Sequence, residues 1–196
     1  AFGTQTENVL APNAVWELDS TPADVMLIGE DGKLRRHHLV ACLDIYSRRA
    51  KLLVCPTSTA EAIALTMREA IEDWGVPQEI HHDNGSDYTS RWIERVCRNL
   101  GIAQRACPHF TPEGKGSIER FLGTFARDLV ELLPGYVGHD VAEREAIRAR
   151  QTFARRLVDK GQSIEIAMTA EAFQSFVDDW LRRYKLRPHG GLKGQT

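Results

Sequence analysis

Polar and apolar residues alternate from Val15 to Asp19, and the apolar run Val25-Met26-Leu27-Ile28 follows. Period-two alternation of this kind predicts a strand with one covered face. Glu30-Asp31-Gly32-Lys33 has turn chemistry, so a hairpin should return through His38 to Asp44. Lys51 to Cys55 reads as a third short strand, ended by Pro56. Ser58-Thr59-Ala60-Glu61 has the form of a capping box, in which the Ser hydroxyl and Glu carboxylate satisfy orphan N–H groups. The helix after it puts Ile63, Met67, Ala70, Ile71 and Trp74 on one face and stops at Gly75-Val76-Pro77.

Glu79 to Asp83 then reads as a strand broken by the tight Asn84-Gly85 turn. Ile93, Val96, Cys97 and Leu100 recur at helical spacing, with Gly101 just past the end. Ile102 to Cys107 is the fifth strand. Thr111-Pro112-Glu113-Gly114-Lys115-Gly116 leads into a long helix with Ile118, Phe121, Leu122, Phe125 and Leu129 inward, closed by Pro134-Gly135. Two more helices are expected, around 140–160 and 169–186. The second has an apolar stripe of Phe173, Phe176, Val177, Trp180, Leu181 and Tyr184. A meander followed by helix–strand–helix–strand predicts an α/β protein: a five-stranded mixed sheet flanked by helices, with a C-terminal helical extension. The expected organisation is a linker over 1–13, a catalytic core over 14–135 and a helical extension packed on it over 136–196.

Composition narrows the class. The chain has 196 residues, 42% hydrophobic and 27% charged, as ordinary globular domains do. No apolar run approaches the roughly 20 residues that cross a bilayer. The start shows no basic and apolar leader pattern, so nothing suggests secretion and a cytoplasmic setting is expected. With no initiator Met and an abrupt end, the sequence reads as a piece of a longer protein. Cys42, Cys55, Cys97 and Cys107 lack CxxC spacing, so buried free thiols are expected and not a zinc site. A net charge of −2 with pI near 6.4 argues against strong stand-alone nucleic-acid binding.

The candidate chemistry lies in three acids. With 27 Asp and Glu in the chain, spacing alone would leave them as solvated surface acids. Context separates three from the rest. Asp19 interrupts a strand near the expected centre of the sheet, where a carboxylate is costly unless paired or bound to a cation. Asp83 ends an apolar strand, and strand carboxyl ends are where open α/β sheets place ligands. Glu119 sits beside Ile118 at the edge of a helix's apolar stripe. An all-oxygen donor set favours a hard cation, Mg²⁺ or Mn²⁺. Two such ions about 4 Å apart can hold the attacking and leaving oxygens of a phosphodiester.

The chain resembles the DDE transposase and retroviral integrase superfamily, most closely the phage Mu-type transposases. The stretches that carry this are Trp16-Glu17-Leu18-Asp19-Ser20-Thr21, Leu43-Asp44-Ile45-Tyr46-Ser47-Arg48 and Gly75-Val76-Pro77 with His82-Asp83-Asn84-Gly85. Thr111-Pro112-Glu113-Gly114-Lys115-Gly116-Ser117-Ile118-Glu119-Arg120 and Tyr184 with Arg187-Pro188-His189 complete them. Each is weak alone, but the five in this order span about 14 to 192. The resemblance implies an RNase H-like fold, with Asp19, Asp83 and Glu119 as the catalytic, metal-binding triad. It also implies two ions and DNA (element ends and target) as partner, with a homo-oligomer assembled on that DNA in a bacterial host. These 196 residues hold neither a zinc-binding His/Cys module nor an end-recognition domain, so site recognition is expected to lie outside them, which fits the mild acidity.

Other candidates are weighed against structural roles. Asp44 and Ser47 read as a turn bonding local backbone. Glu113 reads as solvated, Asp87 as a helix-approach residue, and His189 as ordering the C-terminal turn. Alternation puts His81 and His82 on opposite faces, so at most one can face the site. The cluster Arg144, Arg148, Arg150, Arg155, Arg156 and Lys160 is interleaved with acids, as on a solvated helix face. Lys115, four residues before Glu119, is expected on the same helix face with its ammonium on a DNA phosphate, and Arg120 is a second candidate DNA contact.

The expected activity is metal-activated hydrolysis of a phosphodiester at an element's end, then in-line attack of the freed 3′-OH on target DNA. The alternatives are an RNase H-like nuclease without strand transfer, or a non-catalytic DNA-scaffolding domain.

Overall fold

A computed structural model describes residues 9–107, 115–130 and 168–192. The expected helix around 140–160, the Pro134-Gly135 stop, Glu113 and the basic cluster from Arg144 to Lys160 lie outside the described residues, as does the boundary at 135.

Three antiparallel strands come first: β1 (Val15–Ile28), β2 (Leu34–Asp44) and β3 (Ala50–Cys55). The β1–β2 turn closes as expected, with Gly32 at φ 73°, a left-handed position a side chain would strain. The pairing of β1 with β2 slips between Pro22 and Met26, where an imino acid that cannot donate to the ladder is accommodated at a bulge.

Helix α1 (Ala60–Trp74) crosses to β4 (Glu79–His82), and α2 (Arg91–Leu100) crosses to β5 (Ala103–Ala106). Both strands run parallel to β1, giving the order β3-β2-β1-β4-β5. The N-cap of α1 is Thr59, whose hydroxyl accepts from the Ala62 N–H at 3.2 Å, so the cap sits one residue beyond the expected Ser58.

Helix α3 (Gly116–Asp128) follows, and after it β6 (Met168–Thr169) and α4 (Ala170–Tyr184). The sequence pattern did not foresee β6, a sixth strand pairing in parallel with the far end of β1 at Leu27 and Ile28.

The sheet is covered on both faces. Trp16, Leu18, Val40 and Cys42 pack with Ile63, Met67 and Ala70 of α1 and Ile93 and Cys97 of α2. On the other face Ala23, Val25, Leu27, Leu39, Ala41 and Leu43 meet Ile118, Phe121 and Phe125 of α3 and Phe173, Val177, Trp180 and Tyr184 of α4. Phe176 and Leu100, expected on the apolar faces of their helices, are half exposed. All four cysteines are buried and free.

The outer edge of β3 is covered by a side chain. The Val54 N–H donates to the Gln174 Oε1 at 2.7 Å, and the Gln174 Nε2 donates to the Leu52 carbonyl at 3.0 Å.

Candidate active site

The site lies where the parallel pairing of β1 and β4 ends. Glu17 pairs with His81; Asp19 lies two residues further along β1, and Asp83 lies two residues further on, just past the end of β4. Alternation puts Glu17 and Asp19 on the α3 face, since Trp16 and Leu18 fill the opposite core.

Asp83 is held by the turn after it. Its Oδ1 accepts the Gly85 N–H at 2.9 Å, and a Cβ on Gly85 would lie 2.9 Å from that same oxygen, so a larger residue there would push the carboxylate aside. Tyr88, buried beneath this loop, stacks on His82 with ring centroids 5.6 Å apart. Burial first, and then the negative charges of Asp19 and Asp83, push its phenol well above the ordinary range, so it stays protonated beside them.

Lys115 joins the two acids. Its Nζ is 2.9 Å from Asp19 Oδ1 and 3.9 Å from Asp83 Oδ2. The sequence had placed Lys115 on one face with Glu119. The helix starts only at Gly116, so Lys115 is the non-helical residue before it, and its side chain reaches the two acids at the sheet instead.

Glu119 is in the first turn of α3, exposed, with its N–H donating to the Lys115 carbonyl at 3.1 Å. Among the described residues no three His, Cys, Asp or Glu side chains are gathered closely enough to hold a metal ion. The structure thus brings Asp19 and Asp83 together and leaves Glu119 apart from them. Arg120, the other candidate DNA contact, is also exposed.

Sequence reasoning missed Glu17. It is 4% exposed, and its Oε2 accepts the Ile118 N–H at 2.5 Å. Helix α3 has no side-chain cap of its own, so a carboxylate from β1 satisfies one of its orphan donors. Burial pushes Glu17 up to about 7, opposed by the Ile118 N–H and by the charges of Arg48, Arg120 and Lys115. The available signal was its alternation with Asp19: an acid on the same covered face must have a partner.

The remaining candidates take structural roles. Asp44 is fully buried and accepts from the backbone N–H of Asn13 at 3.3 Å and of Ser47 at 3.2 Å. His81 and His82 are both buried, one 3.0 Å from Glu79 Oε1 and the other 2.6 Å from the Asp83 carbonyl. The His189 ring packs edge-on against Tyr184 at 4.7 Å. Asp87 is partly exposed in the approach to α2.

The integrase core domain model matches residues 10–112, more than half the chain. The chain belongs to the integrase core domain family. It is 32% identical over 146 residues to the transposase of transposon Tn552 from Staphylococcus aureus, covering 69% of this chain and 30% of that protein. It is 27% identical over 124 residues to the Gag-Pol polyprotein of bovine immunodeficiency virus, covering 63% of this chain and 7% of the polyprotein. This integrase core therefore spans less than a third of the length of either relative. Among solved structures, a chain of the simian T-cell lymphotropic virus intasome, in complex with PP2A regulatory subunit B56 gamma, aligns with TM-score 0.52. That match has 20% identity and covers 82% of this chain and 54% of the other. The fold is the RNase H-like fold of integrase catalytic cores, as the motifs implied. The narrower likeness to phage Mu-type transposases rests on the motifs alone.

Proposed function

We propose that this integrase core cuts a phosphodiester at the end of a mobile DNA element and joins the freed end to target DNA. The observation that carries the reading is that Asp19 on β1 and Asp83, just past the end of the neighbouring parallel strand β4, share one cationic group, the Lys115 ammonium. A site that already holds one positive charge between two carboxylates has the donor chemistry for Mg²⁺ or Mn²⁺. Asp19, Asp83 and Glu119 would be the ligands, with two ions in the active complex. When bound, such ions polarise a phosphoryl oxygen and make water or a 3′-hydroxyl nucleophilic near neutral pH.

The chain's own residues prepare that chemistry. Glu17 docks the first turn of α3, the turn that carries Glu119, to β1 through the Ile118 N–H. Gly85 and Tyr88 fix the loop that carries Asp83. Arg120, exposed one residue after Glu119, is placed to contact phosphate. In the first reaction a water oxygen bonds to phosphorus while the bond to the 3′ oxygen breaks, leaving a 3′-OH. In the second, that oxygen displaces a 3′ oxygen of the target strand, and no bond to the protein forms. A homo-oligomer on DNA would hold two ends for joining, and the free buried thiols suit a reducing bacterial cytoplasm.

The test is joining of pre-cleaved ends by the full-length protein. Asp19→Asn, Asp83→Asn and Glu119→Gln should each abolish joining while cooperative melting persists. Wild-type cleavage of uncut ends without joining of pre-cleaved ones would identify a nuclease instead. Turnover near wild type in any one variant would remove that residue from the site.

A further inference from the structure

A lysine at a helix N-terminus opposes the macrodipole and needs another reason to be there. Lys115 is the N-cap of α3, gives the helix no side-chain cap, and is only 12% exposed along its side chain. A charge so far out of water is costly unless paired. Its partners are Asp19, at 2.9 Å, and Asp83, at 3.9 Å, the two carboxylates assigned above to the ions.

We propose that Lys115 is the resident counter-ion of this site. It holds Asp19 and Asp83 together in the absence of metal, competes with divalent cations for them, and passes to a DNA phosphate when DNA arrives. The inference rests on reading Asp19 and Asp83 as ion ligands. An ammonium and a divalent cation cannot both occupy the space between these carboxylates, so entry of one displaces the other. The displaced ammonium is a point charge on a flexible four-carbon stem, able to swing to a nearby anion. The Arg120 guanidinium lies against Gly116, next to Lys115 in the chain, and the phosphodiester to be cut is the anion that substrate brings. Linkage follows: DNA tightens metal binding, and metal tightens DNA binding by the same factor. The lysine thereby restricts assembly of a reactive site to the DNA complex.

The experiment measures Mn²⁺ binding to the full-length protein by the paramagnetic resonance of free Mn²⁺, with and without a plain duplex oligonucleotide. Wild type should bind Mn²⁺ weakly alone and more tightly with duplex. Lys115→Met, which keeps the stem and removes the charge, should bind Mn²⁺ without DNA about tenfold more tightly, the scale of a lost partly buried ion pair. Its extra tightening on adding duplex should largely vanish. Lys115→Arg keeps the charge and should bind Mn²⁺ no more tightly than wild type. In melting curves, Lys115→Met should gain more from Mg²⁺ relative to EDTA than wild type does; lost packing alone would lower both equally. DNA-free Mn²⁺ affinity in Lys115→Met equal to or weaker than wild type overturns the proposal, as does undiminished coupling to DNA. Asp19→Asn serves as the separate control: if it binds Mn²⁺ as well as wild type, the ion-ligand reading itself fails.

Discussion

Glu17 and Asp19 are acids on one face of one strand, and their surroundings set them to different work. Glu17 is sealed under α3 against an amide donor, while Asp19, 19% exposed along its side chain, meets Lys115 at the rim. Glu17 has a pH consequence whose sign follows from linkage. Its carboxyl loses its proton near 4.5 in the unfolded chain and near 7 in the folded one. Between those values the folded form binds more protons, so stability falls as pH rises through that window and levels off above it. Each pH unit of the window is worth at most about 1.4 kcal/mol. Glu17→Gln cannot titrate and can still accept the Ile118 N–H. In EDTA, its urea-unfolding free energy should decline less than wild type between pH 5 and 7; parallel profiles would show that Glu17 titrates normally. Gly85 bears on the other acid. Gly85→Ala sets a methyl against Asp83 Oδ1, so joining should drop by about tenfold or more from misplacement of a carboxylate. Unchanged joining would show that Asp83 tolerates a shift.

Among the elements, those with a covered face and an open one were legible from residue pattern. The β1–β2–β3 meander, α1 and α2 appear close to their expected bounds, because Trp16, Leu18, Ile63, Met67 and Cys97 occur at the spacing their structures demand. Misses fell where pattern carries no information. β6 is two residues long, and its pairing is fixed only by β1, far away in sequence. The apolar ends of the expected fifth strand, Ile102 and Cys107, are buried, yet Ala103–Ala106 between them is exposed. At the site, strand context made Asp19 and Asp83 legible, but the direction of Lys115 depends on whether the helix begins before or after it, which residue pattern does not fix to one position. Helix α4 offers a test of integration. Trp180 packs on Phe125 at 5.1 Å and Tyr184 at 4.8 Å, and its indole N–H donates to Asp128 at 3.2 Å. Trp180→Ala should cost about 3–5 kcal/mol, read from the shift in denaturation midpoint. A loss under about 1 kcal/mol would mean that α4 contributes little to this core.

For the whole molecule, charge limits what the chain does alone. With 25 Lys and Arg outweighed by 27 Asp and Glu, the chain carries no net positive field for phosphates, and Lys115 is already committed to two acids. This chain by itself should bind duplex weakly, in a sequence-independent way, with affinity falling steeply as salt rises. Fluorescence anisotropy with two unrelated duplexes across a salt series reads this directly. Tight binding to one sequence alone would mean that recognition resides in these residues after all.

Gln174 also matters to what happens between molecules. An open sheet edge is a row of unused donors and acceptors, and a second chain in extended form can add to it indefinitely. One amide side chain engages both Val54 and Leu52, so it takes the place a foreign strand would need. Gln174→Ala uncovers those groups on β3 and should barely alter the melting temperature. It should nonetheless raise the light scattered by concentrated protein at rest, with thioflavin fluorescence growing in parallel. Solutions that stay clear as long as wild type would show that the rest of α4 is shield enough. The glutamine thus works as a guard against polymerisation, and its worth is measured in shelf life rather than in folding free energy.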